Sequence, residues 1–189
     1  MPRFEPGDLL FFWGRDFDSR VIEFATQGPS HVGMIFEHRG EPMLLESTTL
    51  CDLECDIRCE RVRGVQAHFP EKRIRRYRGK VYHSPIRWGS RFRDRQSREL
   101  TELIFEEFFT DPTPTPYDLR GALESPLLLI PFLRYPDLGS LFCSALCSSL
   151  LQDFSKHNRE DPTRITPAGL KRRALRWATH EKLKRVSLN

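Results

Sequence analysis

The sequence predicts an α+β fold in which a small antiparallel sheet or half-barrel packs against helices. Two observations predict it. Strand-type runs crowd the first part of the chain, at 7–13, 31–37 and 43–47, while long helix-type patterns come later, at 95–110 and 140–156. Strands grouped ahead of helices are the order of α+β chains, not of alternating α/β ones. The second observation is scale: 189 residues, 39% hydrophobic and 30% charged, suit one globular domain over 1–189. A chain of that length buries a core without disulfides or metal.

The elements follow in order. GDLLFFW (7–13) reads as a buried strand opened by a Gly-Asp turn. Residues 17–27 carry Val21, Ile22 and Phe24 in a short helix. Gly-Pro-Ser then turns the chain into a strand at 31–37, EHRGEP turns it back, and MLLES (43–47) returns. Residues 50–60 fit no single pattern, and 61–83 predict one or two strands from β-branched and aromatic residues set between charges. Leu100, Leu103, Ile104 and Phe108 form one stripe of a helix over 95–110. DPTPTPYD is a proline-rich connector to a second helix at 140–156, with Ser140 as its cap. DPTRITPAGL is a loop, and the last twenty residues are basic with helical character.

Charge and cysteine content narrow the function classes. No apolar run approaches the roughly 18 residues of a membrane span. SPLLLIPFL (125–133) is too short and holds two prolines. The first residues lack signal-peptide order, and five cysteines is an odd number for a disulfide framework, so the expected compartment is the cytoplasm. Cys51, Cys55 and Cys59 are spaced to line one helix face. With His68 they form a zinc set only at an unusual spacing, and no metal or other cofactor is expected. Eleven Lys or Arg residues lie between Lys72 and Arg98 against one acid, Asp94. That stretch is a solvated basic face or a contact for an anionic surface. Nucleic acid is the weaker reading, although Tyr77, Tyr82, Trp88 and Phe92 interleave the charges.

The chemistry starts from the hairpin. With the turn centred on Arg39 and Gly40, opposed residues have numbers adding to 79, and Glu46 faces Gly33. His31 lies two residues from Gly33 and so shares its face, with Glu46 as a diagonal neighbour roughly 7–8 Å away at the backbone. An imidazole oriented by a carboxylate is a base of fixed tautomer. Its nucleophile would be Cys143, near the start of the second helix. There the helix dipole and free N–H groups favour a thiolate, and the Cys143 N–H is a candidate oxyanion donor. Cys147, one turn further on, reads as a core residue. The plain alternatives are a structural histidine and a small buried cysteine.

GDLLFFWG, SHVGMIFE, LLEST, YDLRG, FCSALCSSLL and RITPAGL follow one another in a recognisable order. Over about residues 5–170 the set resembles the circularly permuted, NlpC-type branch of the papain-like cysteine peptidase and amidase superfamily, close to the YiiX-like group. Lecithin:retinol acyltransferase-like proteins are more distant relatives. The resemblance implies a papain-like fold with His31 as base, Glu46 as polar third member and Cys143 as nucleophile. Asp8, Tyr117 and Asp118 match positions with structural or pocket-lining roles, and Ser30 is placed at the substrate pocket. Where the family often has an acid two residues after the cysteine, this chain has Ala145. The implied activity is thiol-dependent hydrolysis of an amide bond in a peptide or cell-wall-type substrate. The alternatives are acyl transfer or lipid hydrolysis on the same fold, and a binding module without catalysis.

Overall fold

A two-residue turn sets the register of the sheet. Arg39 and Gly40 both take positive φ, 53° and 81°, the backbone of a tight hairpin turn whose twist matches the strands. The strands it joins, β2 (His31–His38) and β3 (Glu41–Thr48), pair from His38 opposite Glu41 to Met34 opposite Leu45. The computed structural model describes residues 2–48, 52–87, 93–111, 138–154, 162, 165–176 and 179–187. Within them lie four further strands, β1 (Leu9–Gly14), β4 (Gly64–His68), β5 (Gly79–Ser84) and β6 (Lys184–Arg185). All neighbours are antiparallel, in the order β4-β3-β2-β1-β5-β6.

The helices are α1 (Phe17–Thr26), α2 (Pro70–Arg76), α3 (Arg93–Phe108), α4 (Leu138–Phe154) and α5 (Pro167–Arg176). Asp16 caps α1, its carboxylate accepting from the Ser19 N–H at 2.8 Å. Strand α+β order is thus present, with one helix more among the strands than the pattern predicts: α2 interrupts the stretch 61–83. Pro70 at the first turn, Glu71 beside it and Arg73, Arg75 and Arg76 at the end are helix-start and helix-end chemistry. At the C-terminal side, α5 begins inside the expected loop, at Pro167. The basic tail after it pairs as a short strand, so helical character there ends at Arg176.

Both faces of the central strands are covered, which is why LLFF and HVGMIF are nearly unbroken apolar runs. Pleating divides their side chains. One face carries Leu9, Phe11, Val32, Met34, Phe36, Met43 and Leu45, packed with Leu100, Ile104 and Phe108 of α3 and Leu146, Cys147 and Leu150 of α4. The other carries Leu10, Phe12, Ile35 and Leu44, with Phe4, Val81, Ile74 and Tyr77. Gly33 is on the second face, where a Cβ would stand 2.7 Å from Leu44 Cδ1 and 2.8 Å from the Leu45 carbonyl oxygen. The oxygen belongs to the sheet and cannot swing away. Gly33→Ala is therefore expected to destabilise the fold by about 1–3 kcal/mol. An unchanged urea midpoint would refute this.

Candidate active site

His31 opens β2, directly after Ser30, and its ring stands on the face that carries Phe12. The two rings are 5.4 Å apart between centroids. Glu46 of β3 is on the same face, because pleating sends alternate residues the same way. The His31 Nε2–H donates to Glu46 Oε2 at 2.7 Å. A carboxylate only accepts, so this bond assigns the proton to Nε2 and leaves Nδ1 as the basic nitrogen. The sequence brings these two together as the hairpin register requires.

The residue that the sequence reading missed is Arg73. Its Nε donates to the other Glu46 oxygen, Oε1, at 2.6 Å, and the guanidinium lies 5.5 Å over the Phe12 ring and 5.3 Å over Tyr77. Burial favours the neutral form of the Glu46 carboxyl, yet the Arg73 charge and then the His31 hydrogen bond outweigh it, so its pKa is lowered. Glu46 is thus a fully buried carboxylate held ionised between a guanidinium and an imidazole. In sequence, Arg73 is one of eleven basic residues in its stretch; only α2 distinguishes it, by turning one of its basic positions inward.

A second line of polar groups continues from Glu46. His68 Nε2 lies 3.7 Å from Glu46 Oε1 and 2.9 Å from Gln66 Oε1. Among the described residues His68 Nδ1 is buried without a hydrogen-bond partner, 3.8 Å from Asp56, whose carboxylate also pairs with Lys72. Burial lowers the His68 pKa, with Glu46 opposing. On the other side, Ser30 is buried beside His31. Its hydroxyl is 3.2 Å from the Phe12 carbonyl and 3.4 Å from Glu23 Oε1, on the side of Tyr77. Burial pushes the Tyr77 phenol up, with the neighbouring Ser30 side chain opposing. Ser30 therefore stands at the edge of the site, tied to α1 and to the end of α2.

Cys143 is placed differently from expectation. It is the sixth residue of α4, which begins at Leu138, so Ser140 lies inside the helix and not at the cap position. The first four N–H groups of a helix are free, and dipole support fades within the first turn. The Cys143 N–H is thus committed within the helix and is not an oxyanion donor. The side chain is fully buried, in the cluster of Leu9, Phe11, Val32 and Met34. That is the sheet face opposite His31 and Glu46. Among the described residues, the His31 ring has Glu46 as its hydrogen-bond partner. The structure joins two members of the expected triad and seats the third across the sheet. Cys147 lies in the same cluster as Cys143, and burial followed by the Glu46 charge pushes its thiol pKa up, as suits a core residue.

Tyr117, Asp118 and Cys51 lie outside the described residues. Cys55 and Cys59 do not share a helix face: they sit in a turn closed by the Cys55–Glu60 bridge, Cys55 buried and Cys59 exposed. Asp8 is structural. It bonds His83 Nε2 at 2.6 Å and the Ile86 N–H at 2.7 Å, tying β5 to the first strand. The basic stretch is not one face, since it runs through α2, β5 and α3. Arg73 is buried in it, Lys72 pairs with Asp56 and Arg95 with Glu99.

Comparison with known proteins adds the fold. No family model and no curated protein matches this chain. Among solved structures, the metalloprotein YiiX from Escherichia coli O157:H7 aligns over 100% of this chain and 99% of its own, with a TM-score of 0.58 and 14% identity. Among the described residues, no three His, Cys, Asp or Glu side chains are grouped to hold a metal ion. Both Glu46 oxygens are engaged, and a cation between His31 and His68 would stand against Arg73, so the residues present do not fit a resident metal there. No described helix is long and apolar enough to cross a membrane. The α+β architecture, with its six-stranded antiparallel sheet, is similar to the YiiX fold along the whole chain.

Proposed function

We propose that this chain is a thiol-dependent hydrolase of the permuted papain-like kind, acting on an amide bond. Cys143 serves as nucleophile, His31 as base and Glu46 as the group that orients it. The observation that carries the reading is the His31–Glu46 hydrogen bond of 2.7 Å, with Glu46 kept ionised by Arg73. The hydrogen bond leaves Nδ1 of a fixed tautomer as the basic nitrogen, and in this reading it takes the proton of the Cys143 thiol. The thiolate attacks the acyl carbon and His31 returns the proton to the leaving amine. Water, deprotonated by the same nitrogen, then releases the acid from the acyl-enzyme. Ser30, Tyr117 and Asp118 are proposed at the substrate pocket, and a peptide, amide or lipid-derived molecule is the substrate class. The cytoplasm is the proposed compartment, which fits Cys55, Cys59 and Cys147 as free thiols.

The mechanism requires Cys143 to reach His31, hence a different seating of α4 on the sheet from the one described. The buried position of Cys143 favours a second reading, a binding module on the same fold in which the thiol is core. Iodoacetamide labelling of a Cys51→Ser/Cys59→Ser variant separates the two. The hydrolase reading expects Cys143 to label in the folded protein at pH 6. It also expects Cys143→Ala and His31→Ala each to lower turnover of a thiol-sensitive amide probe by about a hundredfold or more. Labelling of Cys143 only on unfolding, or full turnover by Cys143→Ala, would remove the hydrolase reading.

A further inference from the structure

A cleft of about 480 Å³ opens between the β1–β5 pair, α5 and the C-terminal segment. It lies on the sheet face of Phe11, since Trp13 and Tyr82 project there, and it shares no residue with the His31–Glu46 site. Its volume falls in the range of about 300–1,000 Å³ typical of small-ligand sites. Trp13 and Tyr82 meet edge to face with centroids 4.8 Å apart and form the floor. Leu175 of α5 and Leu183 add apolar wall, and Leu175 is 37% exposed. Two lysines border this apolar surface, Lys80 from β5 and Lys171 from α5, with Lys171 Nζ 5.5 Å from the centre of the Trp13 ring.

No acidic side chain is among the described residues lining the cleft. Lysine in a partly apolar setting ordinarily acquires a carboxylate partner, because desolvation disfavours an unpaired ammonium. Here burial, and Arg172 next to it, lower the Lys171 pKa. The Trp13 face offsets only part of that cost. A cleft with an aromatic floor, an aliphatic wall and two cations without an acid is complementary to a molecule with one anionic end and one apolar end.

We propose that this cleft binds a small amphipathic anion, a carboxylate or phosphate carried on a short-chain or aromatic apolar body. The head group sits between Lys80 and Lys171, and the body lies on Trp13 and Tyr82 against Leu175 and Leu183. The site is independent of the activity proposed for the His31 face.

The test uses the full chain and the fluorescence of 8-anilinonaphthalene-1-sulfonate, with octanoate, octyl phosphate and octanol as competitors. Saturable one-site binding is expected, displaced by octanoate or octyl phosphate at least about tenfold more effectively than by octanol. Lys80→Ala/Lys171→Ala is expected to weaken binding by tenfold or more, and Leu175→Asp to abolish it, both with wild-type thermal melting. Binding within twofold of wild type in either variant, octanol competing as well as octanoate, or no saturable binding at all would overturn the proposal. A variant that fails to melt as wild type is replaced by Lys171→Gln, expected to weaken binding at least threefold.

Discussion

Replacing Arg73 by alanine is expected to destabilise the fold by about 3–5 kcal/mol, the range for breaking a buried ion pair from one side. The reason is what remains. Glu46 is 1% exposed, and without the guanidinium its Oε1 keeps His68 at 3.7 Å as its polar neighbour among the described residues. Burial then works unopposed on that side and drives the carboxyl toward protonation. Lysine does not replace arginine here, because the bond comes from Nε while the guanidinium plane lies over Phe12 and Tyr77. Urea denaturation of the double-mutant cycle measures the pair. Glu46→Gln made in the Arg73→Ala background is expected to cost far less than in the wild type, since the stranded charge is then gone. If the two substitutions add within about 0.5 kcal/mol, the pair is not coupled and Arg73 does not hold Glu46 ionised. On the proposed hydrolase reading, a Glu46 that has lost its charge would no longer orient or stabilise an imidazolium at His31, and Arg73 would be a positioning residue for that chemistry.

The contrast between what could be read in the residues and what could not is physical. His31 and Glu46 were legible because a two-residue turn at Arg39 and Gly40 leaves one register, and the pleat then decides which side chains share a face. The stripe Leu100, Ile104 and Phe108 was legible because α3 has one wet face and one dry one. The face on which α4 lies was not legible. Val32, Met34 and Phe36 are no more apolar than Ile35, Leu44 and Phe12, so a strand buried on both sides carries no alternation that marks the helix-bearing side. Placing Cys143 with His31 therefore rested on a family resemblance, and the described packing puts a sheet between them. Arg73 was illegible for another reason. A buried arginine and an exposed one look alike in a basic run, and α2 was hidden because Ile74 and Tyr77 between charges suit a strand as well as a single amphipathic turn.

Acid is expected to destabilise this protein already above the range where carboxylates titrate, and His180 is the main group responsible. Its ring is 2% exposed, with Nε2–H donating to the Gly7 carbonyl at 3.0 Å and Nδ1 3.0 Å from Thr179 Oγ1. Burial lowers its pKa from 6.5 to about 4, against the Gly7 bond and the Asp8 charge, with nearby His83 adding to the fall. The unfolded chain therefore binds a proton at His180 between about pH 6.5 and pH 4 that the folded chain does not. Stability is complete above the unfolded value and drops as pH falls, by about 2 kcal/mol at pH 5 and about 3 kcal/mol at pH 4. His68 shifts in the same direction and shares the window, while Glu46, whose folded pKa is depressed, adds its own loss as pH falls through the ordinary carboxylate range and below it. Urea midpoints between pH 7.5 and pH 5 read the slope. His180→Gln keeps an N–H for the Gly7 carbonyl and has nothing to titrate, so its midpoint is expected to be nearly flat beside the wild type, with His68→Gln removing the smaller remainder. Equal slopes in wild type and His180→Gln would show that the ring at the junction of the two chain ends is not where acid acts.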